Sequence, residues 1–429
     1  VQGWTFDYPV SFFDEKVHRI RRQAADAEEI ADAAELLKSA KRPMIIAGGG
    51  VQYSGAVAEL TAFAEAHDIP VVETIAGRAN MVNDHALNVG PLGVTGSDSA
   101  NTIAEEADVI LAVGTRLQDF TTGSWTAFAK GAQFIGLNVG RHDAAKHMSM
   151  TVVGDAKLAL VELGSATSGY SAPKSWTKYA QGERAKWNDY VADNTRVGNG
   201  PASYAQAIGV VNDLCDPRDR VVAAAGGLPA EVTANWKTLD IGTVDVEFGF
   251  SCMGYEIAGG WGARIAQAQI DSDQDTVVFT GDGSYLLMNS DIYSSVLTDK
   301  KLIILVLDNG GFAVINKLQN NTGNESFNNL IADTPTATRQ VSVDFEAHAR
   351  AMGAEAETVE MSGLAEAFKR AKASDKTYVI CAKVDPYEGW TTEGHTWWEV
   401  GTPHVSDNPK VHAAHLEQEE TRARQRKGV

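Results

Sequence analysis

The sequence is short of cysteine, of positive charge and of long apolar runs, and each shortage excludes a class of protein. Cys215, Cys252 and Cys381 are three residues in 429, widely spaced and without the spacing of zinc ligands. Neither a disulfide framework nor a structural zinc site is expected. A reducing, cytoplasmic setting is, with each thiol acting as small core filler. Lys and Arg number 37 against 56 Asp and Glu, a net charge of −19, which argues against nucleic acid or an anionic membrane surface as a partner. No stretch approaches the ~18 uninterrupted apolar residues of a membrane span, and no repeat of solenoid period is visible. An initiator Met is also lacking: the chain opens Val1-Gln2-Gly3-Trp4, which reads as the continuation of a longer polypeptide. What remains, 44% apolar and 22% charged residues, is the composition of a globular protein long enough for two or three domains.

The most informative stretch lies between residues 277 and 311. The apolar run Val277-Val278-Phe279 passes through Thr280 and stops at Gly281-Asp282-Gly283-Ser284. A helix-like segment then leads to a second apolar run, Leu302 to Leu307, which stops at Asp308-Asn309-Gly310-Gly311. Two parallel strands joined by a helical crossover place their C-terminal ends side by side. Asp282 and Asn309 are therefore expected to face one another although 27 residues separate them. One carboxylate, one amide oxygen and one loop carbonyl suit a hard cation that keeps positions free for phosphate oxygens.

The rest of the chain alternates in the same way. Residues 14–40 have helical spacing and predict one or two amphipathic helices. Apolar runs at 44–47, 69–72, 109–113, 134–137 and 151–153, several ending in glycine, predict a doubly wound α/β domain over residues 1–165. The Ser/Gly/Pro-rich segment 164–175 predicts a linker. Helices at about 176–190 and 203–214 and apolar runs at 220–225, 277–279, 302–307 and 378–384 predict a second such domain over 176–385. Residues 386–429 form a tail whose Trp390, Trp397 and Trp398 sit among glycines. A tail so aromatic is expected to pack over something, as a strap or as a lid. Its Glu417–Lys427 end predicts a solvated helix face, and His395, beside two tryptophans, is a candidate for reaching a substrate hydroxyl or for packing.

The GDG and the DN pair that follows it resemble the thiamine-diphosphate motif, with Asp308 where the motif usually has a first Asn. With 42–50 and 107–116, the resemblance is to thiamine-diphosphate enzymes of the acetolactate-synthase-like group and covers about residues 25 to 385. It implies that Asp282, Asn309 and the carbonyl of Gly311 hold Mg, and that Gly227, Leu228, Gly281, Gly283 and Ser284 contact the diphosphate. It further implies that Met253 wedges the cofactor into its bent form, that the Ser251 carbonyl accepts from the aminopyrimidine amine, and that Val314 completes the cofactor-binding set. No catalytic residue is implied in this chain, because the group's essential glutamate lies in an N-terminal domain with no counterpart here and the complete site is built between subunits of a homodimer or homotetramer. The phrases at 253–262, 289–295, 308–320 and 397–401 resemble, more narrowly, those members of the group that hydrolyse a cyclic 1,2-diketone in inositol catabolism.

Three other readings stay open. One is a carboligase or decarboxylase acting on 2-keto acids, and another is a non-catalytic chain that keeps the fold. The third is a nicotinamide enzyme, suggested by Gly48-Gly49-Gly50 and by Glu73 at the end of the next strand. There the third glycine position of G-x-G-x-x-G falls on Tyr53, and Asn138 stands where relatives often carry an acid.

Overall fold

A computed structural model describes residues 3–198, 200–270, 274–339, 341–391 and 394–428. Val1 and Gln2 of the opening, and residues 392, 393 and 429 of the tail, lie outside the described residues. Two six-stranded, wholly parallel sheets carry the fold. The first holds β1 (Pro43–Ala47), β2 (Val71–Glu73), β3 (Asn88–Pro91), β4 (Val109–Val113), β5 (Gln133–Asn138) and β6 (Met150–Val153) in the order β3-β2-β1-β4-β5-β6. The second holds β7 (Arg220–Ala223), β8 (Val244–Val246), β9 (Thr276–Gly281), β10 (Ile303–Asp308), β11 (Glu355–Thr358) and β12 (Tyr378–Lys383) in the order β11-β12-β10-β9-β7-β8. Central strands such as β1 and β4 are buried along their whole length because helices cover both faces, which is why they read as unbroken apolar runs. The α/β class and the two doubly wound domains expected from the sequence are thus present.

Three strands were not evident as apolar runs: β3, β8 and β11. All are sheet edges. β3 contains Gly90 at φ 111° and ends in Pro91, which an edge tolerates, and β11 reads Glu-Ala-Glu-Thr.

Of the helices expected over 14–40, only Ala27–Ser39 forms. Residues just before it are drawn into extended contact with the first sheet. The carbonyl of Gln23 accepts from Asp155 N at 2.8 Å, and Arg22 pairs with Asp155 at 2.9 Å. Further upstream, Trp4, Phe6, Phe13 and Ile20 are exposed.

The linker expected at 164–175 is largely helical at its ends, since one helix runs Ala156–Ala166 and the next Lys174–Asn194. The second of these packs on the first sheet, where Trp176 and Ala180 join the core and Trp176 Nε1 donates to the Pro43 carbonyl at 2.8 Å. Its far end reaches the second sheet's side, with Trp187 and Val191 against Ala234. The helix therefore spans the seam between the two sheets.

The first sheet's reversal of strand order, between β1 and β4, is where a nucleotide would sit in such a fold. Backbone fills it. A Cβ on Gly48 would stand 2.4 Å from the Gly114 oxygen, and one on Gly50 2.7 Å from Gly114 Cα. The triple glycine serves close approach of two loops rather than a phosphate cradle. Glu73 is fully buried, accepts from Met81 N at 3.0 Å and is ion-paired with Arg78, so it has no free face for a ribose. Of the three thiols, Cys381 is buried and Cys215 packs half-buried against the second sheet's core, while Cys252 is exposed, so core filling fails only for Cys252.

Candidate functional site

In the second sheet the order reverses between β7 and β9, and there the strand ends open onto a cavity of about 850 Å³. Register brings the metal-type residues together. Leu307 of β10 pairs with Gly281 of β9, so Asp282 and Asp308 leave the sheet as neighbours and Asn309 follows one residue later.

Asp282 is buried, and its Oδ1 has no hydrogen-bond partner. Burial, then the nearby Asp308 charge, push its pKa up to about 7, against the pull of the Asn309 and Gly283 N–H groups. Asn309 is oriented from both sides: its Nδ2 donates to the Tyr204 hydroxyl at 2.5 Å, and its Oδ1 accepts from Gly311 N at 3.1 Å. Gly311 sits at φ 147°, and a Cβ there would meet the Asn329 oxygen at 2.4 Å. Only glycine fits. Among the described residues no cluster of three or more His, Cys, Asp or Glu could hold a metal, as befits a donor set of one carboxylate, one amide and one carbonyl.

The turn after β7 supplies the opposite wall. Gly226 has φ 82°, and Gly227 opens the helix Leu228–Asn235, whose first turn contains Pro229. Leu228 is buried in the core of the second sheet. A Cβ on Gly227 would stand 2.5 Å from the Trp390 ring and 3.5 Å from Val314 Cβ, so these three residues close on one another. Glu256 ties this turn to the next: its carboxyl accepts from Ala225 N at 3.1 Å and Gly254 N at 2.8 Å, while burial raises its pKa. The Ser284 hydroxyl also faces it.

Ser251 and Met253 lie on the loop between them. Ser251 adopts φ 52°, rare for a residue with a Cβ, and the loop is held by Glu247, whose carboxylate accepts from Phe250 N at 3.0 Å and Cys252 N at 2.9 Å. The Met253 methyl reaches to 3.4 Å from where a Cβ on Gly283 would stand. All eleven residues named from the sequence thus fall on the turns after β7, β9 and β10 and on the loop before the Tyr255–Ile270 helix. All eleven line the cavity, and none stands on a remote face.

The tail crosses the cavity and returns to the first sheet. Trp390 meets Tyr204 edge-on at 5.7 Å and lies under the Lys317 ammonium at 5.2 Å. Trp398 packs on Phe120 at 4.6 Å, Phe120 packs on Phe248 at 4.8 Å, and Trp398 Nε1 donates to Asp119 at 2.7 Å. The described tail residues therefore pack over the cavity, as both a strap and a closed lid would, and end in the helix Pro409–Arg422. Most of that helix faces solvent, although Val411 and Gln418 are buried. His395 turns away from the cavity, toward Asp98 at 3.2 Å, and offers nothing to a substrate there.

Sequence reasoning missed Tyr204 and Glu231. Glu231 is buried at the cavity wall, where it accepts from Thr391 N at 2.9 Å and from the Thr391 hydroxyl, and burial raises its pKa. Neither residue stands in a motif; the bond from Asn309 reveals Tyr204, and the tail's docking reveals Glu231.

These raised carboxyls have a measurable consequence. A group whose folded pKa exceeds its unfolded value keeps a proton that the unfolded chain has released, so stability falls as pH rises through that interval. Asp282, Glu231 and Glu256 are of this kind. The depressed carboxyls, Glu247 and Glu357 among them, act only below their ordinary range. His147, whose pKa burial lowers, opposes this below its ordinary range, but three raised carboxyls act against one imidazole, so the melting temperature of metal-free protein should fall between about pH 5 and pH 8. Scanning calorimetry in matched buffers checks this, and a rise across that range would contradict it.

Residues 30–163 match the thiamine pyrophosphate enzyme central domain, and residues 224–382 match the thiamine pyrophosphate enzyme C-terminal TPP binding domain. The chain belongs to the thiamine pyrophosphate enzymes. Within them it is 36% identical over 446 aligned residues to the 3D-(3,5/4)-trihydroxycyclohexane-1,2-dione hydrolase of Listeria innocua serovar 6a, covering 96% of this chain and 68% of that one. It is 34% identical to the protein of the same name from Geobacillus thermodenitrificans, covering 98% of this chain and 69% of that one.

Proposed function

We propose that this chain is a magnesium- and thiamine-diphosphate-dependent hydrolase that cleaves a carbon–carbon bond of a cyclic 1,2-diketone, opening trihydroxycyclohexane-1,2-dione to 5-deoxyglucuronic acid in inositol catabolism. The observation that carries the reading is the Asp282 carboxylate. A buried oxygen without a partner is costly, and here it stands at the mouth of a cavity beside an amide oxygen held in place by two hydrogen bonds. A magnesium ion would satisfy all of these groups.

On this reading Asp282, Asn309 and the Gly311 carbonyl hold the metal. The Gly227 and Leu228 N–H groups, at a helix start, and the Ser284 hydroxyl bind the diphosphate. Gly281 and Gly283 leave room for it, and Met253, Ser251 and Val314 orient the rings. When bound, the cofactor supplies the electron sink for breaking the bond between the two carbonyl carbons. The chain's own contribution is to hold, orient and keep dry. Phe120, Phe248, Trp390 and Trp398 shield the cavity from bulk water, so that the water that adds to the second ketone is an admitted one.

The exposed apolar side chains near the site, Phe250, Leu286 and Leu287, fit burial by a second copy in a homodimer or homotetramer. The thiols, free among the described residues, suit the cytoplasm. Among those residues no helix is long and apolar enough to cross a membrane.

The test is the product. The full-length protein, supplied with magnesium and thiamine diphosphate, is given the cyclic dione or pyruvate under identical conditions. Ring-opened acid from the dione, with little turnover of pyruvate, is the expected result. Acetolactate or acetaldehyde from pyruvate, with the dione untouched, would replace this reading by the carboligase or decarboxylase.

A further inference from the structure

Away from the large cavity, the seam between the two sheets buries two arginines for one buried acid. The helix Lys174–Asn194 carries Arg184 and Trp187 three residues apart, hence on one face. The loop after β2 brings Arg78 to the same place. Arg78 is 2% exposed, Arg184 8% and Trp187 2%. Arg78 pairs with Glu73 and donates Nη2 to the Trp236 carbonyl at 2.8 Å; Arg184 donates Nη2 to Asn83 Oδ1 at 2.5 Å.

Three donors remain. The Nε of Arg78, the Nε of Arg184 and the Nε1 of Trp187 are buried without a partner. These residues line one small cavity of about 10 Å³, together with Asn235 and Lys237 from the second sheet's side. Its chemistry is one-sided, since the unpartnered atoms are all N–H groups. Three nearby acceptors are engaged: the Trp236 carbonyl by Arg78, Asn83 Oδ1 by Arg184, and Asn235 Oδ1 by Asn194 at 3.2 Å; the amide of Asn188, an exposed residue, also borders the cavity. Of the carboxylates that act on Arg184, Glu73 is buried but already paired with Arg78, and Asp84 is exposed. One positive charge is left over. Burial, then the neighbouring Arg78 charge, hold the Arg184 pKa down at about 10.

A water molecule has two lone pairs for three donors and brings two hydrogens that need acceptors. A monatomic anion accepts all three and cancels the surplus charge. The cavity has room for about one water-sized sphere, which excludes sulfate, phosphate and carboxylates. We propose that the seam binds a single halide ion, chloride under ordinary conditions, held by Arg78 Nε, Arg184 Nε and Trp187 Nε1. Arg78 belongs to the first sheet and its carbonyl partner Trp236 to the second, so the ion braces the joint between them.

Two measurements on the purified full-length protein test this. Crystals soaked in sodium bromide should show an anomalous peak in this cavity. In solution, the melting temperature should rise saturably with chloride or bromide and stay flat in sodium gluconate of equal ionic strength. Trp187→Phe keeps ring and charge while removing one donor, and should raise the halide concentration at half-effect roughly tenfold or more. Should that variant misfold, Trp187→His, which restores a ring N–H, provides a second case expected to keep the halide response. A bromide-free cavity, equal melting in chloride and gluconate, or an unchanged midpoint in a folded Trp187→Phe protein would each overturn the proposal.

Discussion

Asp282→Ala should abolish magnesium-dependent binding of thiamine diphosphate and leave the metal-free protein at least as stable as before. Both halves follow from one carboxylate. Its Oδ1 is buried and unpartnered, and its pKa is pushed up to about 7, so in the absence of a cation it is a liability to the fold. Removing it relieves that cost. The same oxygen is the only charged donor in the proposed metal set, and neighbouring groups that merely orient metal ligands are worth roughly 10–100-fold in affinity. Loss of a direct ligand should therefore cost at least about 100-fold. Thermal melting with and without magnesium thiamine diphosphate reads both effects. A variant that still melts higher with the cofactor, at the wild-type midpoint, would remove Asp282 from the site.

Gly311→Ala should damage the same site by another route. At φ 147° an L-residue is strained, and the new methyl would lie 2.4 Å from the Asn329 oxygen. The loop must then move. It is held by Phe312 N to the Asn329 carbonyl at 2.7 Å and by Ile331 N to the Gly310 carbonyl at 2.9 Å, and Gly311 N also fixes Asn309 Oδ1. A loss of about 2 kcal/mol or more is expected, a fall of roughly 5 °C in melting temperature, together with weaker cofactor binding. Gly310→Ala is the control. Gly310 sits at φ 76° with nothing within 4 Å of a Cβ, so only the cost of the left-handed conformation applies, about 1–2 kcal/mol. Equal effects from the two substitutions would mean that the contact with Asn329 is not what constrains the loop.

The central strands were legible because both faces are covered and their ends are marked by glycine, and the pairing of Asp282 with Asn309 followed from parallel connection alone. Edge strands β3, β8 and β11 were not, since a strand with one neighbour has no need of an apolar run. Local pattern also misled where distant contacts decide. Residues 22 and 23 read as helical and are extended because Asp155 claims them. The helix containing Trp176 was grouped with the second sheet, yet it is anchored on the first through the Pro43 carbonyl. That the tail would pack was written in its tryptophans; that Thr391 would dock on Glu231 was not, because 160 residues separate the partners.

The tail's return to the first sheet also sets an order of events during synthesis. Arg426 stacks over Phe134 at 4.8 Å and donates to the Ala132 carbonyl at 2.5 Å, a contact between residues 294 positions apart. At translation speeds of roughly 5–20 residues per second, the first sheet has waited about 15–60 s for that residue by the time it leaves the ribosome. Until then the Phe134 ring, packed by Trp125 and Phe128, lacks its guanidinium partner, and the tail has not yet crossed the cavity. Synthesis as far as Arg426, rather than completion of either sheet, is the moment at which the tail can settle over the site.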